Sequence, residues 1–169
     1  GANSSSSDPA MTPDEHYVVY SSSASNLVEN DDFGHDVFRT DLNSGVTRKV
    51  NTTADGVAVS GAFHAQISAD GRYVVFESTA TGLVPMAGDS SVINKVFVKD
   101  MKTGSIAVAS IDTNGQVINK SAYAPQISDD GQFIVFTTAS ALVSGDSNGI
   151  NDVYRVSNPV YGLGSNLNN

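Results

Sequence analysis

Apolar positions in this chain gather in short continuous runs separated by turn residues, and the same run recurs. Tyr73-Val74-Val75-Phe76 and Phe133-Ile134-Val135-Phe136 are unbroken stretches of aromatic and β-branched residues, which predicts strands buried on both faces. Each is preceded by a shorter strand, Phe63 to Ser68 or Tyr123 to Ser128, and by a turn at Ala69-Asp70-Gly71 or Asp129-Asp130-Gly131. Asp and Gly tolerate the positive φ that tight turns require. A loop rich in Ser, Thr and Gly follows, and then a third strand: Asp36 to Asp41, Lys95 to Asp100 or Asp152 to Val156. Asn43-Ser44-Gly45 and Lys102-Thr103-Gly104 turn the chain into a fourth strand, Val46 to Asn51 or Ser105 to Ile111. No long segment carries helical periodicity, so helix content close to nil is expected.

The unit repeats. Ile67-Ser68-Ala69-Asp70-Gly71-Arg72-Tyr73-Val74-Val75-Phe76 returns as Ile127-Ser128-Asp129-Asp130-Gly131-Gln132-Phe133-Ile134-Val135-Phe136. A diverged copy stands at Met11-Thr12-Pro13-Asp14-Glu15-His16-Tyr17-Val18-Val19-Tyr20. A period of about 60 residues with four antiparallel strands per unit predicts an all-β chain of three β-propeller blades, half or a fragment of a ring. The blades are placed at 9–62, 63–122 and 123–158, after a flexible tether at 1–8 and before a tail or incomplete last strand at 159–169. The first turn, with Asp14-Glu15 for Asp-Gly, is expected to differ from the others. The third blade lacks the Thr-Gly turn and continues as Ser157-Asn158-Pro159, which puts its fourth strand in doubt.

The motif Ile-Ser-x-Asp-Gly-x-Tyr/Phe-Val/Ile-Val-Phe, followed by Asp-Val-Phe/Tyr and a Thr-Gly turn, resembles the WD-like blades of TolB-type propellers over residues 9–157. The resemblance implies a binding or scaffolding role and a bacterial extracytoplasmic location, whether periplasmic, cell-surface or secreted. It supplies no catalytic site, because a fold does not carry a function. A sialidase-type propeller would have Ser-x-Asp-x-Gly-x-x-Trp boxes, whereas here Asp and Gly are adjacent and Trp is absent.

Composition narrows the partners. The chain has 169 residues, 40% of them hydrophobic, with only 16% charged. That supports a packed core rather than a disordered chain. The formal charge is −9 with nine Lys and Arg in all, so a phosphate backbone, which needs clustered cations, is not an expected partner. There is no cysteine, which removes disulfides, thiolate metal sites and cysteine nucleophiles. No apolar run reaches the roughly 18 residues of a transmembrane segment.

The oxygen-rich loop before each third strand is the candidate for chemistry. Asp146, Asn148 and Asp152 in the third blade match Asn30, Asp32 and Asp36 in the first, at the first, third and seventh loop positions. Such a loop suits Ca²⁺, a hard cation that takes oxygen ligands; the competing role is plain turn formation by Asp and Asn. The second loop has Lys95 at the seventh position, where an ammonium replaces a divalent ion and pairs with Asp89. An EF-hand is excluded by Asn151 at the sixth position and Ser157 at the twelfth. Gly145-Asp146-Ser147-Asn148-Gly149 matches a hydrolase nucleophile elbow in letters only, because that device needs a strand before and a helix after the serine. His16, His35 and His64 fall at different blade positions, as turn or surface residues. Arg39 and Arg155 are equivalent and are expected on solvated surface. Phe38, Phe76, Phe97, Phe136 and Tyr154 are expected as core between blades.

No catalytic residue set emerges. The leading expectation is a non-enzymatic, calcium-stabilised propeller that binds a protein partner at its mouth or on its loops. The alternatives are an accessory propeller of a peptidase or other hydrolase, and a glycan-binding adhesin with Tyr123 and Tyr161 as exposed aromatics. Three blades do not close a ring of the usual four to eight. Closure is expected from a second copy in a two-fold pair or from further blades of a longer chain.

Overall fold

The computed structural model describes residues 1–29, 31, 34–85 and 92–163. These form eleven strands and no helix: β1 (Ser6–Met11), β2 (Tyr17–Ser22), β3 (Asp36–Asp41), β4 (Thr47–Lys49), β5 (Ala62–Ile67), β6 (Tyr73–Ser78), β7 (Lys95–Asp100), β8 (Ile106–Val108), β9 (Ala122–Ile127), β10 (Phe133–Thr138) and β11 (Asp152–Ser157). Pairing is antiparallel throughout, in the order β1-β2-β3-β4, then β5-β6-β7-β8, then β9-β10-β11. Two blades therefore have four strands, and the third, whose fourth strand the sequence left in doubt, has three among the described residues. The cause is local: Asn158 and Pro159 follow β11, and residues 159–163 form turns instead of a returning strand.

The N-terminal tether expected over 1–8 is also corrected. β1 starts at Ser6, where it pairs with Ser22, and Ser5 O accepts from Ser23 N at 3.0 Å. Asn3 is held further out, its backbone N–H donating to Asn26 Oδ1 at 3.0 Å.

The turn after each first strand is built identically in all three blades. Ser68 Oγ donates to Asp70 at 2.6 Å and accepts from Tyr73 N at 3.0 Å. Ser128 does the same with Asp130 and Phe133 at 2.6 and 3.0 Å. Thr12 does so with Asp14 and Tyr17 at 2.6 and 2.9 Å. The turn at Asp14-Glu15, expected to differ, keeps this geometry, and Glu15 adopts the glycine conformation at φ 59°.

Alternation along the strands builds two cores. Val19 and Val37 of the first blade pack with Val74, Phe76 and Phe97 of the second. From the opposite face of that blade, Tyr73, Val75, Val96 and Val98 pack with Ile134 and Phe136 of the third. The middle blade is thus covered on both sides, and every residue of β6 and β7 is buried. Phe76, Phe97 and Phe136 are buried between blades as expected, and Tyr154 packs at the margin of the second core; Phe38 is buried too, but outside both cores, with its ring on Tyr20 of its own blade. Val135, by contrast, is half-buried on the outward face of β10.

Candidate functional site

The described acidic loop residues make hydrogen bonds and ion pairs within the protein. Asp36 is fully buried; its Oδ1 accepts from Asn51 Nδ2 at 2.6 Å, and its Oδ2 lies 2.8 Å from Lys49 Nζ. The same ammonium is 3.0 Å from Asp31 Oδ1. In the first blade, then, a lysine from β4 brings the positive charge that a cation would supply. Asn30 and Asp32 lie outside the described residues, as does Asp89, the expected partner of Lys95; Lys95 itself is buried.

In the third loop the side chains bond one another and the adjacent strand. Tyr154 donates its hydroxyl to Asp146. Asn148 Oδ1 accepts from Ile150 N at 2.9 Å, and its amide nitrogen faces Asp152 Oδ2 at 3.4 Å. Asn148 therefore presents an amide N–H to Asp152, the geometry of a turn. Among the described residues no group of three His, Cys, Asp or Glu stands together as metal ligands. Melting curves in millimolar calcium and in EDTA are expected to coincide, because a ligand must bind the folded state to raise its stability. A rise in calcium that Asp152→Lys removes would restore the ion reading.

The structure draws attention instead to β1, β5 and β9, the strands that open each sheet. In each, two residues oppose one on the neighbouring strand, between Ser7 and Ala10, between Phe63 and Gln66, and between Tyr123 and Gln126. These are β-bulges, and the first bulge residue takes the left-handed conformation in all three: Asp8 at φ 52°, His64 at 51° and Ala124 at 50°. Non-glycine residues in that region cost about 1 to 3 kcal/mol each, and such strain collects at functional sites. The sequence did carry a signal: Pro9 and Pro125 occupy matching repeat positions inside strand runs, where proline marks a bulge or an end strand.

The bulges of all three blades line an open cavity of about 460 Å³. Asp8, His64, Gln66, Glu77, Tyr123 and Gln126 are among its lining residues. Glu77, on β6, is 3% exposed and anchors the wall. Its Oε2 accepts from Asn94 Nδ2 at 2.5 Å. Its Oε1 accepts from Ala124 N at 2.8 Å and lies 3.2 Å from His64 Nδ1. Asn94 Nδ2 also reaches Ala122 O at 2.9 Å. One carboxylate thereby fixes the bulges of two blades. His64, expected as a turn or surface residue, is a bulge residue at this cavity, and Tyr123 presents its ring there at 44% exposure. Tyr161, the other expected exposed aromatic, is exposed as well but is not among the residues lining this cavity, and its ring lies 5.8 Å from that of Tyr73.

The equivalent arginines also have structural roles. Arg39 lies over the Tyr17 ring at 4.4 Å and donates from Nη1 to Gly71 O at 2.5 Å. Burial lowers its pKa from the ordinary guanidinium value, opposed by the nearby Tyr17. Arg155 lies over the Phe133 ring at 4.3 Å.

Antiparallel blades, two of four strands and one of three among the described residues, stacked face to face about a line of bulged first strands, define this chain as a propeller segment. No protein-family model and no curated protein matches it. Among solved structures it is similar to TolB from Acinetobacter baumannii, at 20% identity and TM-score 0.50 over 91% of this chain and 30% of that one. It is also similar to an oligogalacturonate lyase in complex with manganese, at 19% identity and TM-score 0.55 over 94% of this chain and 36% of that one. A second oligogalacturonate lyase, from Vibrio parahaemolyticus, matches at 13% identity and TM-score 0.50, over 92% and 36%. The likeness is one of fold, a TolB-type β-propeller, and this chain spans about a third of the length of each of these three chains. No helix among the described residues is long and apolar enough to cross a membrane.

Proposed function

We infer that this chain is a non-enzymatic binding scaffold of the propeller type, acting outside the cytoplasm as the TolB-type resemblance implies, with a protein segment as its ligand. The supporting observation is the cavity walled by three strained bulges at equivalent repeat positions. It combines an exposed ring (Tyr123), amides (Gln66 and Gln126) and the polar His64, a set that suits the backbone and an apolar side chain of an extended peptide.

Tyr123→Ala is exposed enough to leave the fold intact and is expected to weaken peptide binding about ten-fold, equivalent to 1.4 kcal/mol. The measurement is calorimetric titration of hits from a peptide and glycan array, with melting temperature as the folding control. Glycan hits in place of peptides would favour the adhesin reading, and formation of unsaturated product from oligogalacturonate would favour an enzyme.

A further inference from the structure

We propose that the outward face of the third blade, centred on Phe133 and Arg155, is a docking face for the Ser-x-Asp-Gly turn of another propeller blade, and that it refuses the first blade of a second copy of this chain. The proposal goes beyond the peptide-binding reading and does not depend on it.

The occupant is identified by two filled versions of the same contact. At the first junction the Tyr17 ring lies against Gly71, and Arg39, stacked on that ring, grips the glycine carbonyl. At the second, the Tyr73 ring lies against Gly131, where an added Cβ would stand 2.5 Å from Tyr73 Cδ2. There Val98 replaces the arginine, and Asn158 Nδ2 takes the Gly131 carbonyl at 2.8 Å. Ring against glycine is therefore the constant element, with the carbonyl satisfied by a side-chain donor.

The third blade repeats the first version. Phe133 opens β10 as Tyr17 opens β2, and Arg155 stands on β11 where Arg39 stands on β3. The ring and guanidinium are already stacked at 4.3 Å. Around them Val135 matches Val75, and Val153, 73% exposed, matches the buried Val96. The face thus has the apolar centre and the preorganised carbonyl-seeking arginine of a blade junction.

A second copy offers its first blade, which carries most of the complementary side. Its Thr12–Asp14 turn has the standard hydrogen bonds, and Tyr20 and Phe38 stack at 5.9 Å as Phe76 and Phe97 do at 5.7 Å. Glu15, however, stands where Gly71 and Gly131 stand. Its Cβ occupies the space that the incoming Phe133 ring requires, and close-packed interfaces do not absorb such an overlap. The two-fold closure expected from the sequence would place Phe133 on this residue twice.

Sedimentation of the full chain and of its Glu15→Gly variant tests the proposal, with a thermal melt of each to show that it folds. Glu15→Gly is expected to self-associate about ten-fold or more tightly than the unaltered chain. Arg155→Ala or Phe133→Ala in the Glu15→Gly background is expected to return association to the unaltered level. Equal association of the unaltered and Glu15→Gly chains overturns the proposal, as does Glu15→Gly association that survives both second-site changes. Tyr123→Ala, which tests the cavity, is expected to leave all of these values unchanged.

Discussion

Gly71→Ala is expected to cost about 3 kcal/mol of folding stability, the sum of a left-handed backbone penalty and overpacking. Gly71 sits at φ 71°, and a Cβ there falls within the Tyr17 ring. The ring cannot swing aside cheaply, because Arg39 is stacked at 4.4 Å and bonded to the same glycine's carbonyl. Gly45 is the internal control, with φ 72° and nothing within 4 Å of an added Cβ. Gly45→Ala should cost only the backbone share, about 1 kcal/mol. For a domain of this size 1 kcal/mol moves the melting midpoint by roughly 2–4 °C, so the two variants separate clearly in a thermal scan. Equal shifts would mean that the ring contact carries no energy.

Glu77→Ala is expected to be as damaging, at roughly 3 kcal/mol, because it strands buried donors on two blades. Asn94 Nδ2 and Ala124 N lose their shared acceptor, and His64 loses its neighbour. Glu77→Gln should fall between the two chains: it preserves shape and one acceptor but can turn an amide nitrogen toward Asn94. Urea midpoints with unchanged m-values would measure the loss. A loss below about 1 kcal/mol would show that the network is dispensable.

How far the sequence could be read depended on whether a property repeats locally. The apolar runs at Tyr73 and Phe133, the Asp-Gly turns and the third strands all lie within one unit, so the spacing alone marked them and the all-β propeller fold. The contacts between units had no such mark. Arg39 and Gly71 are joined across blades, and residue spacing says nothing about a neighbour's turn. That is why Arg39 reads as solvated surface in the sequence. The acidic loops showed their oxygen-rich composition but not their partners. Asp36 has the composition of a cation ligand, but Lys49, thirteen positions on and paired to β3, brings the charge. His64 showed nothing because its role follows from backbone conformation, and a histidine at positive φ looks like any other in a sequence. Pro9 and Pro125 were the legible trace of that conformation.

The bulges have one more consequence, for what becomes of this protein when it is crowded. The first strand of a sheet has a row of backbone donors and acceptors with no sheet partner, a template on which other extended chains can polymerise. A flat template is needed, and a left-handed residue in the middle of β1, β5 and β9 breaks the row and twists it. At the far side of the first two sheets, β4 and β8 are only three residues long, too short to seed such growth. The strain stored at Asp8, His64 and Ala124 thus also protects against amyloid-like aggregation, and replacing these residues to relax the backbone would gain stability at the expense of solubility.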